Sequence, residues 1–320
     1  MILNDIEFDM ELEHPICFGG WRIRRADTEK VSHFRHHLVT YLTAGSPFED
    51  PLPYEYERIP TDNGIQLRPI PESQFRYTIV ESTNNETANE RIIETMRLCA
   101  KDLWLGIRST KFVNIATKLD HSNGRNIKAF DAVCTAFYRD WNRSIAEPPV
   151  LLTLEDLQEL ATIDELRSNL KVTDYPMIDD AIRNFLVGDS LPLLKFRDLN
   201  SYAVLESLLS HAPAPTDTYD SIRKQLVRNI ILLNNRASKI HHIEYDTKKL
   251  NKVISELYSY RSAIAHGGDV KNKLKEVTQK LEIKAAAGRE EYVVSNLLRR
   301  IVKMVLIQAL KEPKLVTDLK

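Results

Sequence analysis

At 320 residues the chain is long enough for one large domain or two ordinary ones, each with a real core. Hydrophobic residues make up 43% and charged residues 28%, the balance of a folded globular protein, and no run reaches the roughly 18 apolar residues of a membrane span. The net charge of −1 conceals a split: residues 1–219 carry 23 Lys and Arg against 34 Asp and Glu, whereas residues 220–320 carry 21 against 11.

A basic final third implies an anionic partner, with nucleic acid first among the candidates. It is equally compatible with a basic domain docking on an acidic one in the same chain, and charge alone leaves both open. The start, MILNDIEFDMELEHP, is acidic and lacks the basic and apolar regions of a signal peptide. Cys17, Cys99 and Cys134 are far apart and form no CxxC pair, so they read as plain thiols in a reducing, cytoplasmic setting.

Residues 1–150 read as an α+β region. PICFGGWRIRRAD predicts a strand pair, and residues 28–42 a helix capped by Asp27 or Thr28 with Val31, Phe34, Leu38 and Leu42 on one face. EYERIPTDNGIQLRPI alternates around Asn63-Gly64, a hairpin signal, and QFRYTIVES predicts a further strand. Ile92, Ile93, Met96, Cys99 and Leu103 recur at helical spacing, and helix is also expected within 107–145.

Beyond AEPPV, residues 151–320 read as almost continuous helix. Thr153 with Asp156, and Thr162 with Glu165, both have capping-box spacing. A helix with Pro176 near its start should stop at Gly188. A second follows through FRDLNSYAVLESLLSH, and APAPTDT blocks its continuation. The next is amphipathic through Ile222, Leu226, Ile230, Leu233, Ala237 and Ile240, and another spans about 247–266. VKNKLKEVTQKLEIK and EYVVSNLLRRIVKMVLIQAL complete the set. The expected fold is an α+β amino-terminal region followed by an all-α helical bundle, mainly α overall.

The 247–266 helix carries the most informative stretch, SELYSYRSAIAHGGD. Leu250, Val253, Leu257, Tyr260 and Ile264 form its apolar stripe, and Arg261 sits at the border of that stripe. His266 falls on the last turn, before two glycines that stop the helix. Histidine can move protons near neutral pH, and arginine offers a planar fork of donors suited to phosphate oxygens. Together they have what metal-free RNA cleavage needs: the ribose 2′-hydroxyl attacks, the imidazole shuttles protons and the guanidinium meets the phosphorane charge.

Arg261-Ser-Ala-Ile-Ala-His266 resembles the R-x4-H motif of the HEPN (higher eukaryotes and prokaryotes nucleotide-binding) superfamily. The longer LYSYRSAIAHGG resembles its Apea-like branch, and the likeness covers roughly residues 180–310. It implies a helical HEPN bundle and a metal-independent endoribonuclease without cofactor, acting as a toxin or in defence against phage. It further implies a homodimer through the carboxy-terminal bundle, in which two motifs share one cleft. Arg261 and His266 would be catalytic. Ser262 holds the place where many active members carry Asn, Asp or His, although serine is common in the Apea-like branch.

Other residues take supporting places in this reading. Tyr258 and Tyr260 are suited to base stacking or to the core, and Glu206 to orienting His266 or to solvent. Arg228, Arg236, Lys239, Lys271, Lys273 and Lys275 are candidates for an RNA-binding face, with surface ion pairs as the plain alternative. His33, His36 and His37 have spacing that suits zinc, but without HExxH or a nearby cysteine no metal is expected. His241 and His242 read as a helix end. A non-catalytic module that binds RNA, a nucleotide or a protein regulator is the competing function. Regulation of a neighbouring nucleotidyltransferase, known for other HEPN branches, is a third.

Overall fold

The computed structural model describes residues 2–4, 15–18, 21–25, 27–28, 56–61, 64–69, 77–82, 94–99, 153–188, 191, 193–212, 221–285 and 288–320. They belong to two compact units: Met1–Ile93 with Lys101–Ala161, and Glu94–Ala100 with Thr162–Lys320. Strands occur only in the first among the described residues, and the chain is mainly α.

The first unit holds strands β1 (Ile2–Asn4), β2 (Ile16–Phe18), β3 (Trp21–Arg25), β4 (Tyr56–Thr61), β5 (Gly64–Pro69) and β6 (Tyr77–Ser82). Four of them form an antiparallel sheet in the order β1-β6-β3-β2. The expected strand pair is β2–β3, in register Ile16↔Ile23 to Phe18↔Trp21. Alternation sets its faces: Arg22 and its partner Cys17 are exposed, and Ile23 is buried. The expected hairpin is β4–β5, which closes at Thr61↔Gly64 with Gly64 at φ +127°, a conformation that suits only glycine. β1 was not anticipated, because its three residues open an acidic stretch too short to show alternation. Of the helix expected over 28–42 only Thr28 is described, and the helix within 107–145 and the three spaced histidines lie outside the described residues.

Helix α1 (Leu154–Asn169) opens on a true capping box: Thr153 N–H donates to Asp156 Oδ2 at 2.8 Å, and Asp156 N–H to Thr153 Oγ1 at 3.3 Å. The second box does not form. Thr162 lies inside α1, because buried Leu157, Leu160 and Ile163 carry the helical period through that point without a breaker. The boundary between the units falls in α1, at Ala161/Thr162, whereas composition suggested 150. Beyond it Arg167 binds Glu94 at 2.7 Å and Thr95 at 3.1 Å, which ties Glu94–Ala100 into the second unit.

The rest of that unit is α2 (Pro176–Gly188), α3 (Leu194–Leu209), α4 (Ile222–Arg236), α5 (Thr247–Ala265), α6 (Val270–Lys280), α7 (Glu290–Lys311) and α8 (Pro313–Asp318). Every residue of α7 from Ile301 to Leu310 is buried, and α2, α3, α4, α6 and α8 all pack against this helix. α5 packs on α3, α4 and α6. At the α2–α3 turn, a Cβ on Gly188 would collide with the Asn200 side chain, whose Nδ2 donates to Asn184 O at 2.8 Å.

α4 is shorter than its periodicity predicts and stops at Arg236, before Ala237 and Ile240. The cause is buried Asn234. Its Oδ1 accepts from Ile243 N–H at 2.8 Å and its Nδ2 donates to Ile243 O at 3.2 Å, so the chain folds back. The histidine pair lies beyond the end of α4 and not on it, with His242 Nδ1 2.9 Å from Asn234 O of the last turn. Asn234→Ala leaves two buried backbone groups of Ile243 unpaired. It should lower stability by about 2–4 kcal/mol in urea unfolding, at an unchanged m-value.

Candidate functional site

The corner between α5 and α6 displays His266. Asp246 caps the start of α5 by accepting from Lys249 N–H at 2.7 Å. At the other end His266 is the C-cap residue, and Gly267 follows in the left-handed region at φ +69°. Gly268 N–H then reaches back to Ala263 O at 2.8 Å, the six-to-one bond of a Schellman stop. Asp269 immediately caps α6, accepting from Asn272 N–H at 3.0 Å. Both sides of the turn are therefore fixed, and the exposed imidazole projects from it with no hydrogen bond among the described residues. This is the local reason for Gly267, whereas a Cβ at Gly268 would meet only ordinary contacts with Ala263.

Arg261 lies one turn earlier in α5. Leu250, Val253, Leu257 and Tyr260 are buried as expected, while Ile264 at the end of the stripe is half-buried. The Arg261 side chain is 26% exposed, and its Nη2 donates to Glu206 Oε2 at 3.1 Å from α3. Its guanidinium carbon sits 5.8 Å from the centre of the Tyr258 ring, a cation–π distance. Tyr258 in turn meets Tyr202 edge-on, with ring centres 6.2 Å apart. Glu206 thus departs from both expectations. It is part-buried rather than solvated, and it serves Arg261 rather than His266.

Glu206 ends a polar stripe that the sequence reading missed. Asp198, Tyr202 and Glu206 recur every four residues on α3, and the first two are 1% exposed. Asp198 Oδ1 accepts from Ser295 Oγ of α7 at 2.6 Å. Burial is the main cause that pushes its carboxyl up to about 7. Glu291 raises it further, while the Ser295 hydrogen bond, Arg197 and Tyr260 oppose the shift. The buried Tyr260 hydroxyl is close enough to feel that carboxylate, yet outside hydrogen-bonding geometry. Burial raises both phenols well above the usual range, helped by the charges of Asp198 and, at Tyr202, Glu206. The signal was present in the sequence as an acid-tyrosine-acid series at helical spacing among leucines.

The six candidate RNA contacts lie in two groups. Arg228 and Arg236 are on α4 with Lys239 just beyond it, and Lys271, Lys273 and Lys275 are on α6. Arg236 is held by Glu312 through its Nε at 2.9 Å and through Nη2, and that contact lowers the Glu312 carboxyl below its ordinary range. Lys273 pairs with Glu276 at 3.0 Å and approaches Glu256 at 4.0 Å. Arg228, Lys239, Lys271 and Lys275 are exposed. Ser262, next to Arg261, is half-buried, and its carbonyl accepts from His266 N–H at 3.1 Å.

No family model, curated protein or solved structure matches this chain. Among the described residues no helix is long and apolar enough to cross a membrane, and no group of three or more His, Cys, Asp or Glu is placed to hold a metal ion.

The buried carboxyl gives a pH signature. Between its ordinary value of 3.8 and about 7 the folded protein keeps a proton on Asp198 that the unfolded chain releases. Stability present below about pH 4 is therefore lost progressively up to about pH 7, by roughly 4 kcal/mol at 1.36 kcal/mol per pKa unit. Asp198→Asn, which keeps the acceptor for Ser295, should flatten that loss and exceed wild type in stability at pH 8. Urea unfolding of both proteins at pH 5 and pH 8 reads the difference.

Proposed function

We propose that this chain is a metal-independent endoribonuclease of the HEPN type, with Arg261 and His266 as the catalytic pair. The reading is best supported by the state of Arg261. The guanidinium is held in a part-buried place by one carboxylate and one ring, while its Nε and Nη1 donors make no hydrogen bond within the described residues. An exposed imidazole on the next turn of the same helix completes the pair.

In this mechanism His266 takes the proton of a ribose 2′-hydroxyl, and the oxygen forms a bond to the adjacent phosphorus. Arg261 stabilises the charge that collects on the phosphorane oxygens. The bond to the 5′-oxygen then breaks, and that oxygen receives a proton. The products are a 2′,3′-cyclic phosphate and a 5′-hydroxyl. One imidazole serves as base and a second is needed as acid if the proton is not returned by the first. A homodimer through the carboxy-terminal bundle, with α5 near its two-fold axis, would supply it. Light scattering should then report twice the chain mass at micromolar concentration, and a monomer there removes the shared cleft.

The Arg261–Glu206 pair itself favours a second reading, in which Arg261 locks α5 to α3 and the bundle binds RNA without cutting it. Cleavage of single-stranded and structured RNA in EDTA separates the two. His266→Ala should lose about 10²–10⁴-fold in rate, the usual worth of general acid–base help, with folding intact. Arg261→Lys should rescue poorly, because a point charge does not replace the fork. Full activity in His266→Ala, or cleavage that needs a metal and leaves a 5′-phosphate, overturns the catalytic reading.

Binding should weaken steeply with added salt, since each neutralised phosphate releases counterions. Alanine at Lys271 or Lys275 should flatten the salt slope more than alanine at Arg236 or Lys273, which already hold carboxylates.

A further inference from the structure

The Arg261–Glu206 contact is a half-closed fork. A guanidinium that meets a carboxylate side-on engages two nitrogens with two oxygens in parallel hydrogen bonds. Here one bond forms, Nη2 to Oε2 at 3.1 Å. The partners of the second bond, Arg261 Nε and Glu206 Oε1, are both buried and both unpaired. The Tyr202 hydroxyl, in the same interior and within the field of both charges, is unpaired too. A pair built only for stability would rotate and satisfy both halves, since unpaired buried groups are costly. What opposes the rotation is the ring packing: the guanidinium lies against Tyr258, and Tyr258 is set edge-on against Tyr202.

We infer that Glu206 is a positioning residue for Arg261: with Tyr258 as the opposing wall, it holds the guanidinium in one rotation, with Nε turned inward and the exposed part of the fork left for a phosphate. The stripe on α3 is the frame for this device. Asp198, fixed to α7 through Ser295, anchors one end of the stripe, and Glu206 meets α5 at the other. Tyr202, fully buried between them, seats the Tyr258 ring. This rests on the catalytic reading of Arg261, and it places a negative charge beside an anion site. That charge opposes substrate binding, so its benefit must lie in aim rather than affinity.

Binding and rate therefore move differently. Glu206→Gln keeps the shape and removes the charge; cleavage of a single-stranded RNA oligonucleotide in EDTA should lose at least about tenfold in kcat, the scale of one mispositioned catalytic group. Its Kd for the same RNA should stay unchanged or tighten. Glu206→Asp, which keeps the charge but is one methylene shorter, should be as slow as Glu206→Gln. Nitrogen-15 relaxation of the Arg261 Nε–H group gives a readout independent of activity: restricted in wild type, mobile in Glu206→Gln. Full kcat in either Glu206 variant while Arg261→Ala is inactive overturns the inference and leaves the catalytic reading standing. An Nε–H group equally ordered in wild type and Glu206→Gln overturns it whether or not RNA is cut. Full activity in Arg261→Ala instead removes the catalytic reading itself.

Discussion

A helix buried on all sides must be surrounded, and α7 is buried on all sides from Ile301 to Leu310. Its neighbours α2, α3, α4, α6 and α8 take their places from that requirement. Even its polar residues are absorbed: Lys303 is 3% exposed, and its ammonium donates to Cys99 O at 3.0 Å. α5 packs on α3, α4 and α6. A helix covered on one side by the bundle keeps its other side available, and α5 is the one that carries Arg261 and ends on His266.

The polar stripe of α3 runs through a buried seam, where polar groups cost stability unless they are paired. Burying Asp198 opposes its ionisation, and four buried polar atoms along the seam have no hydrogen-bond partner among the described residues: the Tyr202 and Tyr260 hydroxyls and one carboxylate oxygen each of Asp198 and Glu206. Replacing such buried polar clusters with packed hydrophobic side chains is often neutral or stabilising. Stability alone therefore gives no reason for the stripe. It makes sense as a frame that fixes a cation where the seam reaches the surface, and the energetic penalty of that frame is concentrated on Asp198.

Helices α2 to α7 were legible in the sequence, whereas the six-residue α8, after the break at Pro313, was not anticipated. Gly188 and Gly267 lie where local chemistry alone puts them, at the ends of α2 and α5. The readings that failed did so because tertiary contacts override local signals. Thr162 has a capping sequence, but the apolar period of α1 runs through it. Ala237 and Ile240 continue the period of α4, but the hydrogen bonds of Asn234 to Ile243 end the helix. At the site, Arg261 and His266 stood out as a charge at an apolar border and an imidazole before two glycines. Glu206 was misassigned because a helix sequence shows which residues share a face and not which helix that face meets. The same limit hid Asp198 and Tyr202, whose role depends on the crossing of α3 with α5 and α7.

The charge excess of the final third survives the ion pairing. Arg236 with Glu312, Lys273 with Glu276, and Lys280 with Glu256 at 3.1 Å each remove one charge of either sign within residues 220–320. The balance of 21 against 11 is therefore unaltered by these pairs. Glu206, outside that range, neutralises Arg261 at close range and lowers the excess by a single charge. A potential of this sign is long-ranged compared with any one pair, falling off over about 8 Å at physiological salt. It draws an anion toward the bundle without choosing where the anion stops. Choice of place needs a donor that is fixed, and Arg261 is held between Glu206 and Tyr258. The charge excess is thus a property of residues 220–320 together, whereas the fixed orientation of Arg261 is a property of one guanidinium and the residues that hold it.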